Sequence, residues 1–174
     1  KKPMKQRLLI FGFLMFGSFI FAQTRIDKAL KKWNKESVPY ITVSEVKTEK
    51  EAIFLDAREW HEFNVSHLPN ALWIGYKNFN LQSITNKLPD KQKELIVYCS
   101  IGVRSEDIAE ELIAAGYPNV KNLYGGIFEW VNQGNTVYNS DGQPTDQTHA
   151  FNKHWGKLLL KGQKVYSVED LVRN

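Results

Sequence analysis

The chain is almost without cysteine: Cys99 is the only one in 174 residues. No disulfide can form within it, so its stability must come from a packed core. It also lacks metal-ligand spacing. Its four histidines form no metal pair, and there is neither a phosphate-binding glycine motif nor a calcium loop. The sequence therefore implies no metal and no cofactor. Acidic residues are missing from the first 22 positions, which hold Lys1, Lys2, Lys5 and Arg7. Setting those four aside leaves 19 basic residues against 19 acidic ones. That balance gives no electrostatic case for binding nucleic acid. The apolar run Leu8–Ala22 is 15 residues long, short of the ~18–20 that span a bilayer.

What the first segment does have is the pattern of a secretory signal: a basic start, an apolar stretch, and small Ala22 before polar Gln23. Residues 1–22 are expected to be a cleaved signal peptide, which implies a periplasmic or secreted protein with no membrane span after cleavage. An uncleaved anchor is the alternative. A lone thiol in such an oxidising compartment is a liability unless it is buried or used.

Over the whole chain 43% of residues are hydrophobic and 24% charged, enough apolar content for a globular core. Thr24–Ser37 reads as an amphipathic helix with Ile26, Leu30 and Trp33 on one stripe. Tyr40–Val43, Ala52–Leu55, Leu72–Ile74, Leu95–Tyr98 and Val120–Tyr124 read as strands. Ser44 is expected to cap a helical turn. Phe79–Leu88 and Ser105–Ala115 read as helices, the second stopped by Gly116. Strands alternating with helices predict an open, mostly parallel five-stranded α/β sheet. The expected organisation is a helical lead-in over 23–39, a domain over 40–135 and an extension over 136–174. That extension is predicted to carry one helix, with Phe151, Trp155, Leu158 and Leu159 as its apolar stripe. The helix docks on the domain or, alternatively, offers a surface to a protein partner. Trp60, Trp73 and Trp130 are expected in the core or in a pocket wall.

Parallel sheets place ligands beyond the carboxyl ends of their strands. Cys99 is the first residue after Leu95–Tyr98, followed by Ser100, Ile101, Gly102, Val103 and Arg104. Gly102 permits backbone conformations that other residues avoid. Successive loop amides and the start of the following helix favour negative charge, and Arg104 adds a fixed positive one. All of these favour the thiolate, the nucleophilic form of cysteine. Glu106 and Asp107 suit the helix dipole but compete for the same positive field. On position alone an inert buried thiol is the alternative.

This loop resembles the active-site loop of rhodanese-family sulfurtransferases. Leu55-Asp56-Ala57-Arg58-Glu59 is similar to the family's strand-end acid-x-Arg motif. Glu62-Phe63 with His67-Leu68-Pro69-Asn70-Ala71, and Leu123-Tyr124-Gly125-Gly126-Ile127-Phe128-Glu129-Trp130, match later segments in order. The resemblance spans about Tyr40 to Val131 and implies a three-layer α/β/α fold. It also implies that Cys99 carries a persulfide cradled by Ser100, Ile101, Gly102, Val103 and Arg104, while Asp56 and Arg58 hold the scaffold nearby. The donor would be thiosulfate, polysulfide or a persulfide, and the acceptor a thiol or cyanide. The same fold serves phosphatases and arsenate reductases whose loop is one residue longer. Here Cys99 to Arg104 is six residues, which favours sulfur transfer. There are departures: Ser100 and Ile101 replace basic residues of some thiosulfate users, and Glu62 stands where some larger members have an arginine. These favour polysulfide, a persulfide or a protein donor over thiosulfate. Ser66 stands where many members have glycine. A non-catalytic binding module and a thiol redox or arsenate-reducing enzyme are the rival readings.

Overall fold

A computed structural model describes residues 25–46 and 51–167. The expected signal segment, 1–22, lies outside the described residues. Among the described residues no helix is long and apolar enough to cross a membrane.

Residues 25–33 form helix α1. Ile26, Ala29 and Leu30 are buried, whereas Trp33 is 56% exposed. The helix was expected to reach Ser37 and stops four residues earlier. The amides of Lys35 and Ser37 donate to the Glu106 carboxylate at 2.8 and 3.1 Å, which draws the chain out of helical register.

The central sheet contains β1 (Tyr40–Ile41), β2 (Ile53–Asp56), β3 (Leu72–Trp73), β4 (Leu95–Tyr98) and β5 (Val120–Leu123) in the order β1-β5-β4-β2-β3. Every pairing is parallel. β4 lies in the middle and all four of its residues are buried. Ile96 and Tyr98 join one core cluster, with Ile26, Leu30, Ile127 and Phe128. Leu95 and Val97 join the other, with Ile84, Ile108 and Leu112. This alternation is the period of a strand covered on both faces, and it makes the fold a three-layer α/β/α sandwich.

The helices after α1 are α2 (Val43–Val46), α3 (Trp60–Val65), α4 (Leu81–Lys87), α5 (Arg104–Ala114) and α6 (Gly126–Asn132). The cap of α2 is Thr42, not Ser44: Thr42 and Glu45 exchange side-chain and backbone hydrogen bonds at 2.8 and 3.3 Å. Ser44 lies one residue inside that turn.

The extension does not form the expected helix. Residues 136–167 make a hairpin of β6 (Val137–Tyr138) with β7 (Pro144–Thr145), a parallel pair of β8 (Gln147–His149) with β9 (Gln163–Val165), and one 3-10 turn, Trp155–Leu158. Asn132 of α6 explains the change. Its side chain donates to Leu158 O and accepts from Leu160 N–H, at 2.9 and 2.6 Å. Those backbone groups are thereby withheld from a helical ladder. Asn152 caps the turn by accepting from the amides of His154 and Trp155. His149 lies on β8 and His154 at the head of the turn. Ala150, Leu158 and Leu159 join the core cluster shared with α1 and α6, so the extension packs on its own domain. Trp130 is buried, but Trp60, expected in the core or in a pocket wall, is 54% exposed and stacks on Phe63.

Candidate active site

Strand β4 delivers Cys99 to the carboxyl edge of the sheet. The loop that follows is held from outside by α6, whose first amides bind its carbonyls: Ile127 N–H to Cys99 O at 3.0 Å, and Phe128 N–H to Ser100 O at 3.1 Å. This approach needs glycine at position 126, since a Cβ there would meet Cys99 O at 2.3 Å. With these carbonyls held by α6, loop amides are left to face the sulfur. Gly102, at φ 110°, donates its N–H to Cys99 Sγ at 3.2 Å. Two amides fix that glycine by donating to its carbonyl, Asn34 Nδ2 at 2.9 Å and Asn122 Nδ2 at 2.8 Å.

The Ser105 hydroxyl lies 3.6 Å from Cys99 Sγ and 2.8 Å from Asn122 Oδ1. A hydroxyl carries one proton, so Asn122 holds it by default and the sulfur can draw it when charged. Burial pushes the Cys99 thiol up. The Arg104 guanidinium, Ser105 and the Gly102 amide act in the opposite sense and prevail, holding the thiol below its ordinary value. Cys99 is 1% exposed, and it lines a cavity of about 350 Å³ with Trp33, Ile101, Val103, Phe151 and Trp155.

Arg104 opens α5 beside this cavity but does not present an unshared charge. It forms a two-pronged pair with Glu62, at 2.7 and 2.9 Å, and donates to Ser100 Oγ at 3.0 Å. Its guanidinium also lies 5.0 Å from the Phe151 ring. Burial alone would push the Glu62 carboxyl up; Arg104, the charge of Arg58 and the Glu59 amide instead hold it at about 2. His149, from the extension, is 3.9 Å from Glu62. Its Nδ1 accepts from Phe151 N–H at 3.2 Å. That bond requires an unprotonated Nδ1, and burial pushes the ring toward its neutral form, so His149 is a polar neighbour of Glu62 and not a countercharge.

Asp56 and Arg58 lie at the end of β2, next to β4, and both are fully buried. Arg58 donates to both Asp56 oxygens, and its Nη2 reaches Ser66 O at 2.6 Å. The structure thus brings Cys99, Ser100, Ile101, Val103 and Arg104 to one cavity. It sets Gly102 beneath the sulfur and Asp56 and Arg58 behind the loop. Glu106 and Asp107 are engaged elsewhere, Glu106 with the amides of Lys35 and Ser37 and Asp107 with the Tyr76 hydroxyl at 2.8 Å. Sequence reasoning missed Ser105, Asn122 and the aromatic wall. It placed Glu62 in a matching segment and noted it as a departure, without its partner. Among the described residues no group of three or more His, Cys, Asp or Glu could hold a metal ion.

A family model described as the Rhodanese-like domain matches residues 42–133. The chain is 32% identical over 130 residues to the adenylyltransferase and sulfurtransferase UBA4 of Candida albicans, covering 72% of this chain and 29% of that protein. It is 33% identical over 92 residues to a tRNA uridine(34) hydroxylase of Hamiltonella defensa, covering 51% and 26%. The chain therefore spans less than a third of these curated relatives. Among solved structures, a thiosulfate sulfurtransferase from Pseudomonas aeruginosa aligns with TM-score 0.54 at 23% identity, covering 82% of this chain and 26% of the other. A rhodanese-related protein from Thermoplasma volcanium aligns with TM-score 0.50 at 26% identity, covering 57% and 96%.

Proposed function

The chain belongs to the rhodanese-like family, and from that premise we propose that it is a sulfurtransferase that carries sulfur on Cys99. The observation that carries this reading is the sulfur itself, buried at a strand end with an amide donor at 3.2 Å and a guanidinium that favours its charged form. In the first step the Cys99 thiolate attacks the outer sulfur of a polysulfide or organic persulfide. The donor's S–S bond breaks, its electron pair leaves with the donor thiolate, and Cys99 holds a persulfide anion. In the second step an acceptor thiolate attacks that outer sulfur and Cys99 Sγ leaves as thiolate. Charge and atoms balance in each step, and no external oxidant enters. Polysulfide and persulfide fit better than thiosulfate because the Arg104 charge is already matched by Glu62. Among described residues there is no second cysteine to resolve Cys99, which supports sulfur transfer over thiol redox chemistry.

Intact mass before and after exposure to polysulfide tests this, with Cys99→Ser alongside. The expected result is a gain of one sulfur, removed by cyanide and absent in the variant. No gain in folded, reduced protein with any donor overturns the reading in favour of a binding module. Export is proposed with it: protein recovered from the cell envelope or medium should begin at Gln23.

A further inference from the structure

The mouth of the cysteine cavity is built by segments outside the matched domain. Trp33 comes from the end of α1, while Phe151 and Trp155 come from the extension; all three lie beyond residues 42–133. Their side chains make this wall apolar, and the one cation in it, Arg104, is paired with Glu62. A small inorganic anion gains little there, whereas an alkyl or aryl body gains by leaving water.

A second cavity, about 410 Å³, shares Trp33 and Trp155 with the first. Among the described residues Arg25, Lys28, Lys32 and Lys157 line it, and no acidic one does. Lys32 Nζ lies 4.8 Å from the Trp33 ring. The two cavities thus place an apolar wall next to the reacting sulfur and a cationic lining across the same two indoles.

Building on the sulfurtransferase reading, we propose that the acceptor is an amphipathic thiol: a hydrocarbon body that lies along Trp33, Phe151 and Trp155, with a carboxylate at its far end held by the cationic cavity. Its thiolate attacks the outer sulfur of the Cys99 persulfide. The persulfide S–S bond breaks, the electron pair returns to Cys99 Sγ, and the acceptor leaves as a persulfide anion.

The test is discharge of polysulfide-loaded full-length protein, followed by intact mass. Three acceptors are compared: mercaptopropionate, ω-mercaptooctanoate and ω-mercaptooctanol. These thiols have similar intrinsic reactivity and differ in chain length and in charge. The octanoate is expected to discharge the enzyme at least about tenfold faster than the propionate, since each buried methylene favours binding severalfold. It should also outrun the alcohol severalfold. Trp155→Ala should shrink the chain-length effect, and the double variant Lys28→Glu, Lys157→Glu should abolish the octanoate's advantage over the alcohol. Equal rates along the series, or a charge-reversal variant that leaves the octanoate-to-alcohol ratio intact, overturn the proposal while the persulfide reading stands. Failure to load any sulfur overturns that reading and this inference with it.

Discussion

Two arginine–carboxylate pairs lie behind and beside Cys99, and they are built on different scales. Asp56 and Arg58 are two residues apart and fully enclosed, and the pair ties the end of β2 to Ser66 O. Glu62 and Arg104 are 42 residues apart; Arg104 keeps 16% of its side chain exposed and lines the same cavity as Cys99, while Glu62 is buried behind it. The enclosed pair has no route to substrate, so its role is to fix the turn that carries α3. The open pair joins α3 to the head of α5 and sets how much of the Arg104 field reaches the sulfur. Similar chemistry thus gives a scaffold in one place and an electrostatic control in the other.

The largest effect should follow from breaking the enclosed pair. Arg58→Met leaves the Asp56 carboxylate in the core without its countercharge and Ser66 O without its donor. Removing one partner of such a pair costs about 3–5 kcal/mol, read as a shift of the urea midpoint. A loss below 1 kcal/mol would mean that water replaces the guanidinium and that the pair is not the scaffold described.

Acid should open the second pair. Glu62 is held at about 2 in the folded chain against ~4.3 when unfolded. Its folded value is depressed, so its contribution is complete above the unfolded value and is lost as pH falls from about 5 toward 2. The contribution is on the order of 3 kcal/mol, measured as chemical-denaturation stability at stepped pH. Glu62→Gln should flatten that part of the profile.

The open pair is also where chemistry and stability should separate. Arg104→Gln removes the charge that favours the Cys99 thiolate, so the thiol should titrate higher and load sulfur more slowly at neutral pH. An ordinary thiol is only a few per cent ionised at pH 7, so loading slows as Cys99 returns toward that state. The pH profile of iodoacetamide alkylation checks it, because a purely structural role would lower the rate without moving the profile. The comparison predicts that Arg58→Met does the reverse, losing more stability while leaving the alkylation profile in any folded fraction nearly in place.

The sequence made local features legible and left long-range ones hidden. Strand β4 has the expected bounds, and α5 begins and ends one residue before the expected Ser105–Ala115, because an apolar run and a glycine stop are written in neighbouring residues. Cys99 through Arg104 follow from the strand-loop-helix order. The Glu62–Arg104 pair spans 42 positions, and only the family departure at Glu62 hinted at it. The extension was misread because the stripe Phe151, Trp155, Leu158, Leu159 fits a helix, yet the Asn132 side chain claims the backbone groups that the helix needs. The aromatic mouth escaped because its parts come from both sides of the domain. Each aromatic taken alone reads as ordinary core.

The smallest effect sharpens the comparison from the enclosed side. Ser66 is fully buried, and its hydroxyl has no hydrogen-bond partner, while its carbonyl accepts from Arg58. If the pair depends on the backbone at this position, the hydroxyl is dispensable, and burying it unpaired is unfavourable. The backbone at Ser66 is extended, φ −167° and ψ 158°, a conformation open to any residue, so the glycine that many family members carry is not required here. Ser66→Ala should therefore be neutral or stabilising by up to about 1 kcal/mol. Ser66→Gly should be less stable than Ser66→Ala by roughly 0.5–1 kcal/mol, because glycine loses more freedom on folding. Denaturation midpoints of the two variants decide it. Should alanine cost more than glycine, the Arg58 contact depends on space at Ser66 and not on its carbonyl, and the enclosed pair would be held by packing in place of the hydrogen bond assigned to it.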